Sequence, residues 1–185
     1  MADPRGWPAN GQVRFSATLV YANGLTARRV QLAASDMQAP VFASEFARAP
    51  STSVVIKKVI DAAHPAFGQN CLVSKRSVPV CFHLIDYVGV LHTSSAVSQT
   101  SDYVLALTPT LSIDAERIGN EARFINDYRG VASKPNADFR LYVQSTSRQL
   151  RMGVFAIRPI SRNEEICVSY GKSFWKARGI EFNHA

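Results

Sequence analysis

Long apolar runs, metal-ligand spacings and helical periodicity are all scarce in this 185-residue sequence. No stretch approaches the roughly 20 apolar residues that span a bilayer. The opening residues MADPRGWPANGQ show no charged-then-apolar leader pattern, so no membrane partner is expected. Cys71, Cys81 and Cys167 stand too far apart for a C-x-x-C pair and read as free thiols of a reducing compartment, nuclear or cytoplasmic. His64, His83, His92 and His184 have no metal-ligand spacing; they read as surface or loop residues, and no metal centre is expected. Gly171-Lys172-Ser173 looks like the end of a phosphate loop. The glycine that such a loop needs five residues before its second glycine is Ile166 here, and no long helix follows. There is no G-x-G-x-x-G.

What is present is enough apolar sequence for a real core: 46% hydrophobic and 19% charged residues, which suits one ordinary domain with or without an appended element. The net charge is +7, which steers a chain toward acidic surfaces without naming one. The basic residues are dispersed, and only Arg28-Arg29, Lys57-Lys58 and Lys75-Arg76 are adjacent. Without a basic stripe interleaved with aromatics, no direct sequence-specific reading of nucleic acid is expected. Nothing in the sequence sets an oligomeric state.

Val13 to Tyr21 alternates with the two-residue period of a half-buried strand, Asn23-Gly24 comes next, and Leu25 to Leu32 reads as a second strand. Asn-Gly between two such runs predicts a β-hairpin. A small, polar, proline-bearing connector over 34–53 completes a flanking segment, residues 1–53, open to three readings: a flank packed on the domain after it, a substrate-reading element, or a fragment of something longer. Short strands then come in series: Val54–Ile60, Cys71–Val73, Phe82–Val88, Tyr103–Leu107, Phe139–Val143, Met152–Ile157 and Glu165–Val168. Turns rich in Gly, Pro, Ser and Asn separate them. Only 119–126 and Ser173–Arg178 carry helix signals. The expected fold is mostly β, α+β only by minor helices, with one domain over 54–178 and a tail over 179–185.

Several blocks succeed one another along that domain: HPAFGQNCLV at 64–73, LIDYVGVLH at 84–92, SDYVLAL at 101–107, LSIDAERIGNEARFIND at 111–127, KPNADF at 134–139 and VFAIRPISRNEEICVSYGKSFW at 154–175. In that order the chain resembles the SET-domain protein-lysine methyltransferases. That family carries a G-x-G-L-F-A loop, an E-Y-x-G-E strand, I-D-A-x-x-x-G-N-x-A-R-F-I-N-H-S-C-x-P-N and G-E-E-L-x-x-D-Y-G. The resemblance implies a β-clip of short strands with a pseudoknot-like C-terminal threading, S-adenosyl-L-methionine as cofactor, and a protein substrate, a histone or nucleosome.

By matched position, the resemblance makes Gly68, Gln69, Asn70, Cys71 and Leu72 a loop that cradles the cofactor through its backbone. It gives cofactor contacts to Tyr103, Arg123, Phe124, Asn126 and Asp127. Tyr170 takes the catalytic tyrosine position and Tyr87 lines the lysine channel beside it. Phe139, Val168 and Trp175 fall on or near the substrate channel, and Trp175 serves equally well as an anchor for the last turn. The chemistry asks for such residues: a lysine near pKa 10.4 must be desolvated to lose its proton, and aromatic faces suit a methylated ammonium. Phe139 and Val168 carry no hydroxyl to hold a blocking water, so di- or trimethylation is expected. Glu164, Glu165 and Asp114 read as structural carboxylates; Asp86, Asp102 and Asp138 are candidates for an acidic groove.

Departures from the family pattern frame a second reading. Cys71 stands where a glycine usually precedes the leucine, Val90 replaces a glutamate, and Asp127-Tyr128-Arg129 replaces His-Ser-Cys. No cysteine cluster comes after Gly171 to bind zinc. The alternative is a weak or inactive module of this fold that binds chromatin or a protein partner.

Overall fold

The computed structural model describes residues 6–8, 11–27, 30, 39–42, 52–98 and 100–180. It is built almost wholly of short strands. A four-stranded sheet has the order β3 (Val41–Phe42), β12 (Ala137–Gln144), β13 (Leu150–Ala156), β6 (His83–Asp86). A second runs β2 (Val20–Tyr21), β7 (Val90–Thr93), β9 (Leu111–Asp114), β8 (Val104–Ala106). Three two-stranded pairs complete it: β4 (Val54–Lys58) with β5 (Asn70–Ser74), β1 (Arg14–Phe15) with β10 (Ile118–Gly119), and β11 (Asn126–Asp127) with β14 (Cys167–Val168). Among the described residues helix is found in a 3-10 turn, Glu121–Phe124, in a five-residue helix, Lys172–Lys176, and at Ala27 and Val30. No helix among the described residues is long and apolar enough to cross a membrane.

All seven residues of β13 are buried, including Arg151, so no apolar-polar alternation survives there. That strand lies between β12 and β6, so both of its edges are paired, and the burial of every residue along it means that both of its faces are covered as well. Around it Leu72, Leu91, Ile113, Leu150, Val154, Ile166 and Val168 form one core cluster with essentially no exposure. The polar members of this interior are paired. Asp86 accepts from the Tyr142 hydroxyl at 2.8 Å and lies 2.8 Å from His83 Nε2, so His83 is buried within a sheet rather than on a surface or loop.

The Asn23-Gly24 hairpin does not form. Those two residues make a turn, but β1 pairs in parallel with β10 and β2 in parallel with β7. The chain beyond the turn is helical at Ala27 and Val30, whose N–H donates to Thr26 O. Tertiary partners outcompete the local hairpin because β7 and β10 offer edges backed by the core. Leu32, most of the 34–53 connector and residues 181–185 lie outside the described residues. The described part of that connector contains β3, which pairs in parallel with β12.

The parallel pair β11–β14 decides the geometry of the site. Asn126 lies beside Cys167 and Asp127 beside Val168, so two segments some forty residues apart in the chain run side by side. A two-residue ladder cannot offset that loop closure alone. Side chains complete it: Asn136 donates to Glu165 O at 2.7 Å and to Glu164 Oε1 at 3.0 Å, and accepts from Cys167 N–H.

Candidate functional site

A cavity of about 690 Å³ opens where these segments meet. Of the residues matched by sequence, Gln69, Asn70, Tyr87, Tyr103, Arg123, Phe124, Asn126, Asp127, Phe139, Tyr170 and Trp175 line it. They come from separate stretches of chain, and the fold brings them together.

Tyr87 stands at the end of β6 and is 7% exposed. Its ring meets Phe139 edge-on at 5.6 Å and its hydroxyl donates to Tyr103 O at 2.8 Å. Burial, then the neighbouring Tyr170, pushes its pKa well above the ordinary tyrosine value. Asn120 fixes this strand end. Its Nδ2 donates to Asp86 O, and its Oδ1 accepts from Val88 N–H while capping the 3-10 turn through Ala122 N–H. Gly89, two residues on, is needed for close approach, because a Cβ there would lie 2.4 Å from Asp114 O. Asp114 itself accepts from Ser101 Oγ and Glu116 N–H, the structural role read from sequence.

Arg123 is a brace as well as a lining residue. Its guanidinium lies 4.0 Å from the Tyr103 ring centroid, and its Nε donates to Ala115 O at 2.9 Å. Phe124 is held edge-on by Trp7 at 5.6 Å, and Pro8, Gln12 and Val13 line the cavity beside it, so the described N-terminal segment forms part of the wall.

Asn126 Nδ2 donates to Glu165 Oε1 at 2.9 Å. The other Glu165 oxygen meets His64 Nε2 at 3.0 Å, while His64 Nδ1 accepts from Ala66 N–H. With Nδ1 accepting, the imidazole proton sits on Nε2 and is donated to the carboxylate. Glu165 is therefore structural, as read, and it orients an amide whose oxygen has no protein donor among the described residues. His64 reads from sequence as an unremarkable loop histidine; its place just before Gln69 was the available signal.

Asp127 holds the opposite side. Its carboxylate accepts from Tyr170 N–H at 2.7 Å, Arg129 N–H at 2.9 Å, Arg129 Nη1 at 2.9 Å and Trp175 Nε1 at 3.3 Å. The Tyr170 hydroxyl donates to Ile125 O at 2.7 Å, and its ring packs against Phe174 at 4.7 Å and Trp175 at 6.1 Å. Burial, then the charge of Asp127, raises the Tyr170 pKa as well. Arg178 lies over Phe174 and pairs with Asp102, and Trp175 lines the cavity while its ring packs against Phe174 at 5.2 Å.

Four of the matched residues lie elsewhere. Gly68, Cys71, Leu72 and Val168 are not on the cavity lining. Cys71 and Leu72 are buried within β5, where the ladder to Lys57 and Ile56 occupies them, and Val168 is fully buried beside Asp127 in β14. Backbone cradling by the 68–72 loop is not available at its start. Gly68 N–H donates to Val59 O and Gln69 N–H to Ala66 O, so those donors are spent within the loop. The left-handed φ falls on Gly68, at 77°, and not on Cys71, which is therefore unstrained. Burial, then Glu165, pushes the Cys71 thiol up to about 11, so it is inert. Of the groove candidates, Asp86 is buried against Tyr142, and Asp102 is engaged by Arg178. No cluster of His, Cys, Asp and Glu among the described residues could hold a metal.

The sequence pattern of the SET domain matches residues 29–171. The chain belongs to the SET-domain family. The family match starts inside the segment read as a flank. The histone-lysine N-methyltransferase MEDEA of Arabidopsis thaliana is 31% identical over 96 residues, 48% of this chain. The match spans only 13% of that relative's length. Among solved structures, ATXR5 in complex with mono-methylated histone H3.1 superposes with a TM-score of 0.64 at 18% identity, over 88% of this chain and 82% of that one. KRYPTONITE, solved with mCHH DNA, an H3(1-15) peptide and SAH, gives 0.62 at 16% identity over 89% and 42%. The polycomb repressive complex 2 of Chaetomium thermophilum gives 0.55 at 21% over 70% and 17%. These likenesses show the mostly-β fold of the SET domain.

Proposed function

We propose that this SET domain transfers methyl groups from S-adenosyl-L-methionine to a lysine side chain of a protein, with a histone as the substrate class. The observation that carries the reading is the convergence of Tyr87, Tyr103, Asn126 and Tyr170 on one cavity in a chain whose residues 29–171 fit the family. MEDEA's description as a histone-lysine methyltransferase and the H3 ligands of the two superposed structures support the substrate class. Action on a histone implies a nuclear location.

The residues fit the cofactor. The cavity is of the size that small-molecule sites occupy, about 300–1,000 Å³. Asn126 presents an oriented amide oxygen, an acceptor for the cofactor's amino group, and Lys58 on the lining offers a cation for its carboxylate. S-adenosyl-L-methionine supplies an electrophilic methyl group on a sulfonium centre. The chain supplies position and desolvation. Both tyrosine hydroxyls already donate to main-chain carbonyls, so what they offer an amine is oxygen lone pairs. With both pKa values raised, neither hydroxyl is a base at neutral pH, and the proton of the lysine must leave to water.

The departures at Cys71 and Asp127 do not favour the binding-only reading. Cys71 is an ordinary strand residue, and Asp127 is fully engaged. For product multiplicity, Val168 falls out of the argument because it is buried, and Phe139 remains as the channel residue without a hydroxyl. Di- or trimethylation is still the expected outcome, read by mass spectrometry under excess cofactor. Calorimetry with the cofactor and a methylation assay on a histone panel test the whole reading. Binding without transfer to any substrate would leave only an interaction module.

A further inference from the structure

We propose that Asp127 is the positioning residue of the site: its single carboxylate fastens the C-terminal segment and so sets where the Tyr170 hydroxyl stands. The proposal rests on the methyltransferase reading above. Where the family pattern has a histidine, this chain has a carboxylate with four donors at 2.7–3.3 Å, drawn from Tyr170, Trp175 and Arg129. A histidine could not take this role. An imidazole offers at most one acceptor nitrogen, whereas a carboxylate has two oxygens and about four lone-pair sites.

The segment that Asp127 fastens has little else to hold it. The Lys172–Lys176 helix buries none of its residues. Gly171 turns into it at φ 85°, with nothing within 4 Å of where a Cβ would stand. Its other ties include the Tyr170 hydroxyl bond to Ile125 O, the packing of Tyr170 against the core and the exposed Arg178–Asp102 pair. An exposed ion pair contributes little. Charge-assisted bonds to a carboxylate that is 6% exposed contribute more. Arg129 neutralises that carboxylate from its own strand end through both oxygens, and Oδ2 also accepts the two N–H donors of the C-terminal segment. Tyr170 is therefore placed through its backbone N–H by a residue 43 positions away.

Amide hydrogen exchange and steady-state kinetics of Asp127→Asn and Asp127→Ala test this. Tyr170 N–H should be protected in the wild type, unlike the exposed neighbourhood of Ser169. Asp127→Ala should abolish that protection and lower kcat about 100-fold, the size expected of a misplaced reacting group, while cofactor Kd moves far less. Asp127→Asn, with its amide oxygen in the Oδ2 place, keeps the acceptor of both C-terminal donors but loses the charge, and should lose distinctly less of the protection and of kcat than Asp127→Ala. The proposal is overturned if the wild-type Tyr170 amide exchanges freely, or if Asp127→Ala turns over like the wild type. Equal losses in the Asn and Ala variants would also sink it. If Asp127→Ala does not fold, the wild-type exchange and the Asn variant decide. Absence of turnover by the wild type sinks the functional reading instead, and is seen before any variant is made.

Discussion

Tyr87 and Tyr170 face one cavity and are held there by different means. Tyr87 belongs to the core: its N–H donates to Met152 O, its ring packs on Phe139, and the Asn120 clamp fixes the backbone on either side. Tyr170 stands on a short coil before a helix with no buried residue, and polar bonds to Asp127 and Ile125 place it. The strand-built wall shares the stability of the whole domain. The C-terminal wall can open at a smaller free-energy cost, because few apolar contacts must break. Precision on one side comes from packing and on the other from a handful of hydrogen bonds.

Four measurements sharpen or break that contrast. Tyr170→Phe should lower methyl transfer on the order of 1,000-fold, about 4 kcal/mol of barrier, since the hydroxyl acts at the reacting centre. Loss of one hydroxyl bond to Ile125 O should cost stability only about 1 kcal/mol, so a variant that melts far below the wild type contradicts the assignment. Asn120→Ala strikes the strand-built wall. It removes the cap of the 3-10 turn and leaves Asp86 O and Val88 N–H without their partner, for a loss of about 3 kcal/mol in urea unfolding. A change under about 0.5 kcal/mol would show that Asn120 is no clamp.

Asn126→Ala removes the oriented amide and should weaken cofactor binding about tenfold by calorimetry, near 1.4 kcal/mol, with the fold intact. Unchanged affinity would move the cofactor's amino group elsewhere. The fourth measurement is of pH dependence. The Cys71 thiol is raised from 9.0 to about 11, and burial raises Cys167 too. The unfolded thiols ionise first, so their contribution is complete below pH 9 and is lost as pH climbs toward 11. Thermal melts under reducing conditions should fall across that window, and Cys71→Ser should flatten the fall. A flat profile in the wild type would count against the burial of these groups.

Much of the core was legible because burial leaves a local mark. Runs such as Leu84-Ile85, Leu105, Val143 and Val154-Phe155 are apolar enough to be strands. Six of the seven strands expected after residue 53 overlap observed ones by three residues or more, and the seventh shrinks to Cys167–Val168. The strands after residue 53 that escaped reading, β7, β9, β10 and β11, mix charged or polar residues such as His92, Asp114 and Asp127 into the fold, which breaks any period, and β3 lies unread in the connector. In the sequence Asn120 stands out only as a member of the segment with helix signals, 119–126. Nothing local in Gly119-Asn120 reveals that its amide spans to Asp86 and Val88, more than thirty residues back.

By itself the sequence determined the class of fold, the collinear motifs and eleven of the residues that line the cavity, because residue type and order are local properties. Only the tertiary structure decided which way each of them faces. It turned Val168 and Cys71 into the core, spent the loop's N–H donors on the loop itself, and traded the Asn23-Gly24 hairpin for parallel pairing with distant strands. It also made Asp127 the tie for Tyr170, because hydrogen-bond partners are chosen by proximity in space, and that exists only once β11 and β14 lie side by side.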